Sequence, residues 1–238
     1  MAAPAIRPRT RWTPPAHGVV DFSHPLAAGL SFAQWAAGGK MVGFGPPGTA
    51  SANAAQAVSP FGAAITSAAD NSTVPYSWAK NDAVFLPATS TSGWSLVVVA
   101  NITTVAVADT RWLINYETPF NASWRIFTHD GAITGGVNVS AGINYTDTSF
   151  AHTSGPAVFT MVFDPGNVFV YTNGVRKGSA IAATMMITGN TNPLMLGGAW
   201  NGSLSTTNQL SAAYVYQRAL SPSEVAALAA DPFQFIRY

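Results

Sequence analysis

The chain has 238 residues, no cysteine and a formal net charge of +1, and only 9% of its residues are charged, against roughly 25% in an average soluble domain. The missing cysteines exclude disulfides, thiolate metal sites and cysteine nucleophiles. With 48% apolar residues and so few charges, the exterior must be largely Ser, Thr, Asn, Ala and Gly. Such a surface has little electrostatic self-repulsion to keep copies apart, and charge depletion also marks buried interface cores.

The chain opens on an arm, residues 1–17. Arg7, Arg9 and Arg11 alternate with Pro8 and Thr10, Pro14-Pro15 follow, and no acidic residue occurs before Asp21. Proline at this density disfavours helix and leaves the segment extended. The three arginines are the candidate docking contacts for an acidic partner surface; the bland alternative is a frayed terminus. Without a further basic cluster they make a small footprint for nucleic acid, which is not an expected partner. The opening MAAPAIRPRTRW lacks the apolar segment of a signal peptide, so exit from a cell is expected by lysis or inside a particle.

From Gly18 to the end, residues 18–238 read as one domain. Short apolar runs are punctuated by Gly, Pro, Asn and Ser, the spacing of an all-β sandwich or barrel. Runs rich in Val, Ile, Phe, Trp and Tyr predict strands at Val84–Leu86, Trp94–Asn101, Arg111–Tyr116, Trp124–Thr128, Val158–Phe163, Val168–Thr172, Leu194–Leu196 and Ala212–Tyr216. Ala36–Ser77 has weaker patterning and predicts long loops with one or two edge strands. The most apolar stretch, Trp94–Ala108, is interrupted by Asn101, Thr103 and Thr104 and is shorter than the ~20 residues a membrane helix needs. No membrane span is expected.

Two turns in Val158–Lys177 carry a mechanism. In Asp164-Pro165-Gly166-Asn167 the proline presets φ and the glycine accepts positive φ. Asn173-Gly174 is a preferred pair for a two-residue hairpin. Together they predict a three-stranded meander. Phe159, Met161 and Phe163 alternate with Val158, Thr160 and Val162, so both faces of the first strand are mostly apolar and it should lie centrally. Thr128-His129-Asp130-Gly131 predicts a further hairpin turn.

A closing helix is predicted over residues 222–230. Ser221 is a good N-cap, Pro222 suits the first helical position, and Glu224 completes a capping box. Leu220 and Val225 can staple across it. Asp231-Pro232 ends it, because the residue before proline avoids the α region. The apolar tail Phe233, Phe235 and Ile236 should be buried, in this chain or against a neighbouring copy.

The segment VFTMVFDPGNVFVYTNGVRK resembles the central hairpins of laminin-G-like, concanavalin A-like jelly rolls. NPLMLGGAWN followed by QLSAAYVYQRALSPSEVAALAADPF is similar to the end of that family. These matches cover the last third of the chain. Asp21-Phe22-Ser23-His24-Pro25-Leu26-Ala27 and the tail motif D-P-F-Q-F resemble small bacteriophage-encoded members. The resemblance implies a two-sheet antiparallel jelly-roll sandwich with a short C-terminal helix. It leaves function open, since this fold serves lectins, adhesion modules, enzymes and virion proteins. The acidic calcium ligands of some members are not matched by the polar stretch Ser203–Asn208.

Chemistry-bearing residues are scarce. The two glutamates are Glu117 and Glu224, and Glu224 is explained by the capping box. Glycosidases need a carboxylate pair; no spacing singles out Glu117 with Asp109 or Asp130. No nucleophile elbow, P-loop or zinc-protease motif occurs, and His17, His24, His129 and His152 are scattered. The expectation is therefore no catalytic residue, no cofactor and no metal. Among seven tryptophans, Trp112 and Trp124 lie with Tyr116 around one predicted hairpin and form the candidate platform for stacking on a sugar, although large aromatics on strands are more often core.

These readings converge on an expected virion structural protein, a capsid decoration, head-fibre or tail-associated jelly roll. It would act through contacts with other virion proteins and with its own copies. The alternative is a carbohydrate-binding or adhesin module recognising a host surface glycan.

Overall fold

The computed structural model describes residues 17–68, 74–103, 111–116, 124–129, 132–138, 145–151, 154–184, 192–198 and 206–237. In chain order the strands are β1 Val19–Val20, β2 Leu30–Ala37, β3 Lys40–Phe44, β4 Gly48–Ala50, β5 Ala54–Ser59, β6 Gly62–Ser67 and β7 Tyr76–Trp78. Then follow β8 Trp94–Ile102, β9 Arg111–Tyr116, β10 Trp124–His129, β11 Ala132–Asn138, β12 Tyr145–Ala151, β13 Gly155–Asp164 and β14 Asn167–Thr172. The last are β15 Val175–Ala182, β16 Leu194–Leu196, β17 Gln209–Tyr216 and β18 Ile236–Arg237. Helix α1 spans Asp82–Phe85 and helix α2 Pro222–Ala230.

The result is a two-sheet antiparallel jelly-roll sandwich with a short C-terminal helix. One sheet runs β12-β11-β10-β9-β16-β7-β4, the other β15-β14-β13-β8-β17-β2-β3, with β6 and β5 branching from β17. A separate ribbon pairs β1 with β18.

Strand alternation sorts side chains into two cores. Phe159, Met161 and Phe163 of β13 enter the core between the sheets with Leu96, Ile114 and Leu196. Val158 and Val162 point the other way, with Val97, Tyr214 and Trp35. That outer face is roofed by α2 through Val225 and Leu228, by the tail and by Leu26 and Phe61. Strand β13 is thus covered on both faces, as its sequence predicts. The meander is also as expected: β13 pairs β14 with Asp164 opposite Asn167, and Gly166 takes φ +88°. At the next turn Asn173 and Gly174 have φ +50° and +78°, the double positive φ of a type I′ hairpin. Asn173 also accepts a hydrogen bond from Val158 N through its side-chain oxygen at 2.8 Å.

Two expectations are corrected. Val84–Leu86 belongs to the single turn of α1 and its exit, where Val84 and Phe85 N–H groups bond Asn81 O at 3.1 and 3.0 Å. Four apolar residues between Asn81-Asp82 and Pro87 are too few for periodicity to separate strand from helix. Ala36–Ser77 is mostly sheet and carries β3 to β7. Strands β4 to β6 are made mostly of Ala, Gly, Ser and Thr with little inside-outside contrast. Their backbones pair with patterned neighbours, as where Gly48 and Ala50 face Trp78 and Tyr76. The predicted hairpin at 128–131 is flanked as expected by β10 and β11, with His129 opposite Ala132; its tip lies outside the described residues.

Candidate functional site

The structure moves the site away from where the sequence placed it. Tyr116 and Trp124 are both 0% exposed, deep in the core between the sheets. Trp124 Nε1 donates to Phe85 O at 2.8 Å, and the Tyr116 hydroxyl donates to Asp82 Oδ1. Burial, and then this bond to Asp82, push the Tyr116 hydroxyl pKa well above its ordinary value. Neither ring has a face free for a sugar, so this part of the stacking platform is corrected: the two rings pack 6.0 Å apart on one another instead. The backbone of Trp112 lies in β9; its side chain is outside the described residues.

Of the two places expected to bury the tail, its own chain is the one observed, and the contact with a neighbouring copy falls away. Phe233, Phe235 and Ile236 are at most 1% exposed and belong to the outer core of their own chain, with Phe235 edge-on to Tyr214 at 5.1 Å. Their apolar surface is spent inside the domain and none remains for a neighbour. Arg7, Arg9 and Arg11 lie outside the described residues.

A concavity lies where the meander meets the N-terminus of α2. This groove, of about 390 Å³, is lined by Val162, Asp164, Phe169, Tyr171 and Arg176 on one side and Ala219, Leu220, Ser221, Pro222 and Glu224 on the other. Its second wall is firmly held. Arg218 grips Glu224 with two bonds of 2.9 and 2.7 Å and reaches Ala28 O at 2.7 Å. Glu224 also accepts from Ser221 N at 2.8 Å. These bonds favour the ionised form: the Arg218 guanidinium first, then the Ser221 donors, bring the Glu224 pKa down to about 2 against the opposing cost of burial. Behind it, Ser95 Oγ donates to Arg218 O at 3.0 Å and accepts from Leu220 N at 2.9 Å.

The first wall is different. The Arg176 guanidinium lies over the Phe169 ring, 4.6 Å from its centre, a cation–π contact. Among the described residues no carboxylate lies within ion-pair distance of it. The carboxylate of Asp164, exposed at the end of β13, likewise has no hydrogen-bond or ion-pair partner there. The groove therefore joins a rigid wall whose charges are mutually bonded to a wall with one free carboxylate and one free guanidinium. Sequence reasoning assigned Asp164 to its turn and passed over Arg176; only the pairing of Tyr171 with Arg176 across β14 and β15 brings them beside α2.

A second feature is apolar. Val19, Phe22 and Phe44 are 64%, 57% and 37% exposed and border a cleft of about 220 Å³ floored by Trp35 and Gly43. Among the described residues, no cluster of three or more His, Asp or Glu could hold a metal ion, and no helix is long and apolar enough to cross a membrane.

The laminin G-type model of the concanavalin A-like lectin/glucanases superfamily matches residues 70–226. The chain belongs to this superfamily. No curated protein matches it. Among solved structures the domain is similar to the binding domain of Paraclostridial mosquitocidal protein 1, with a TM-score of 0.70 at 16% identity, over 88% of this chain and 53% of that one. It is also similar to the botulinum neurotoxin serotype G binding domain, with 0.67 at 12% identity, over 84% and 50%. For the receptor binding domain of botulinum neurotoxin D the values are 0.66 and 12%, over 88% and 54%. The superfamily domain described here spans about half the length of these structures, and the likeness is one of fold.

Proposed function

We propose that this superfamily domain is a non-catalytic recognition module that holds a host surface glycan in the groove between the meander and α2. The observation that carries the reading is the free pair, Asp164 and Arg176, presented on a rigid sheet beside a braced wall. Polar groups left unbonded in a concave, partly aromatic surface are what a hydroxyl-rich ligand uses. The other carboxylates whose surroundings are described are already engaged: Asp21 with Ser23 and Arg237, Asp82 with Lys80, Glu224 with Arg218, and Asp231 with Phe233 N. That supports binding over hydrolysis. The similar structures carry the names of toxin binding domains, which agrees with the reading. The test is adsorption of the purified chain to host cells: wild type adsorbs and the Asp164→Asn, Arg176→Gln double variant does not. Equal adsorption by both would overturn it, and release of reducing sugar, lost in Glu117→Gln, would restore an enzyme.

A second reading concerns the setting, a phage particle in which the domain is a capsid decoration, head fibre or tail component. It is favoured by one observation. The two segments that resemble phage-encoded members, Asp21–Ala27 and Asp231–Phe235, are packed together, with Asp21 N bonded to Phe235 O at 2.8 Å. An antibody to the chain should then label intact particles in electron micrographs; labelling confined to cell debris would refute the setting.

A further inference from the structure

We infer that Asp164 and Arg176 make the groove select a net-neutral, hydroxyl-rich ligand over an acidic or a basic sugar. The inference rests on the recognition reading above and names the ligand class of that groove.

Four ionised side chains line or brace the site. Arg218 and Glu224 cancel one another through their two-bond contact, 2.7 Å at its shorter arm. Asp164 and Arg176 contribute one free charge of each sign, so the site sums to zero. Arg176 lies over the Phe169 ring, 4.6 Å from its centre, a contact that restrains the guanidinium without consuming its donors. A sugar hydroxyl can donate to a carboxylate and accept from a guanidinium. Adjacent ring hydroxyls therefore satisfy both groups with charge-assisted bonds and leave no like charges facing. A uronate would pair with Arg176 but lie against Asp164. An ammonium would pair with Asp164 but lie against Arg176. Each charged ligand meets repulsion that the neutral one avoids, which is selection by exclusion.

The experiment measures retention of the full chain on immobilised dextran, mannan and galactan as neutral probes, polygalacturonate as acidic probe and chitosan as basic probe. Wild type should be retained most strongly on a neutral probe. Asp164→Asn leaves the site with a net positive charge and should shift the ranking toward polygalacturonate by about fivefold, the scale of one exposed charge contact. Arg176→Gln should shift it toward chitosan by a similar factor. Both side chains are exposed, so folding is not at stake. Stronger wild-type retention on a charged probe would overturn the inference. So would rankings unmoved by the two variants, or no retention on any neutral probe. Host-cell adsorption separates the two levels: if the groove variants abolish adsorption while every polysaccharide fails, the ligand class is wrong and the groove remains the recognition site. If adsorption is unchanged by the variants, the recognition reading itself falls.

Discussion

Asp21 and Arg237 form an ion pair across the first and last strands of the domain. Around it, Val19 and Val20 pair with Arg237 and Ile236, and Asp21 N bonds Phe235 O. A hydrogen bond from Ser23 first, with help from Arg237, holds the Asp21 carboxyl below the usual carboxylate range. The clasp locks the tail over Tyr214, so the tail is a structural element of the sandwich. Phe235→Ala should cost about 3–5 kcal/mol, since a fully buried ring leaves a cavity beside Tyr214. Equilibrium denaturation in urea measures it; a loss below about 1 kcal/mol would mean that the tail is dispensable.

Acid should weaken the wall of the groove. Glu224 has a pKa of about 2 against an ordinary value of 4.5. A lowered folded-state pKa contributes stability that is fully present above the unfolded value and is lost as pH falls toward the folded one. The contribution of the Arg218–Glu224 contact should therefore be intact above about pH 5 and drain away between about pH 4.5 and 2. Thermal melts across that window should show a flatter acid limb in Glu224→Gln than in wild type, together with a lower midpoint at neutral pH. Parallel acid limbs would count against this assignment.

Two glycines separate steric from conformational cost. A side chain at Gly43 would meet Ala33 O at 2.2 Å and the Trp35 ring at 2.7 Å, on a backbone with φ +143°. At Gly38, with φ +56°, nothing lies within 4 Å. Gly38→Ala should cost only about 1–2 kcal/mol, the left-handed penalty for a residue with a Cβ. Gly43→Ala should cost clearly more, because strand β3 must also move off β2. Comparable losses in chemical denaturation would refute the distinction.

Changing the buried aromatics should harm folding before binding. Trp124→Ala removes a fully buried ring and orphans Phe85 O, at about 3–5 kcal/mol. At a temperature where the variant remains folded, as judged by near-ultraviolet circular dichroism, its host-cell adsorption should match wild type. Selective loss of adsorption without loss of stability would return the site to the predicted hairpin.

The contrast between these residues and the groove says where the sequence was readable. Turn chemistry and capping are local, so Asn173-Gly174 and the Ser221–Glu224 box were legible from a few adjacent residues. The meander followed, because Val158–Phe163 is apolar at every position but Thr160. Strands β4 to β6 were not legible, since alanine, glycine and serine give no two-residue contrast and pairing is dictated by distant partners. The platform of Tyr116 and Trp124 failed for a related reason: alternation tells that a ring faces one side of a sheet, but not whether a second sheet covers it. The groove needed three things at once: the β14–β15 register, the docking of α2, and the fact that Arg176 and Asp164 find no partner. None of these is written in local spacing.

The clasp has a consequence for how such a domain is used. Val19 and Arg237 are direct neighbours in an antiparallel ribbon, so the chain enters and leaves the sandwich about 5 Å apart. A module with adjacent entry and exit can be spliced into a surface loop of another protein without stretching that loop.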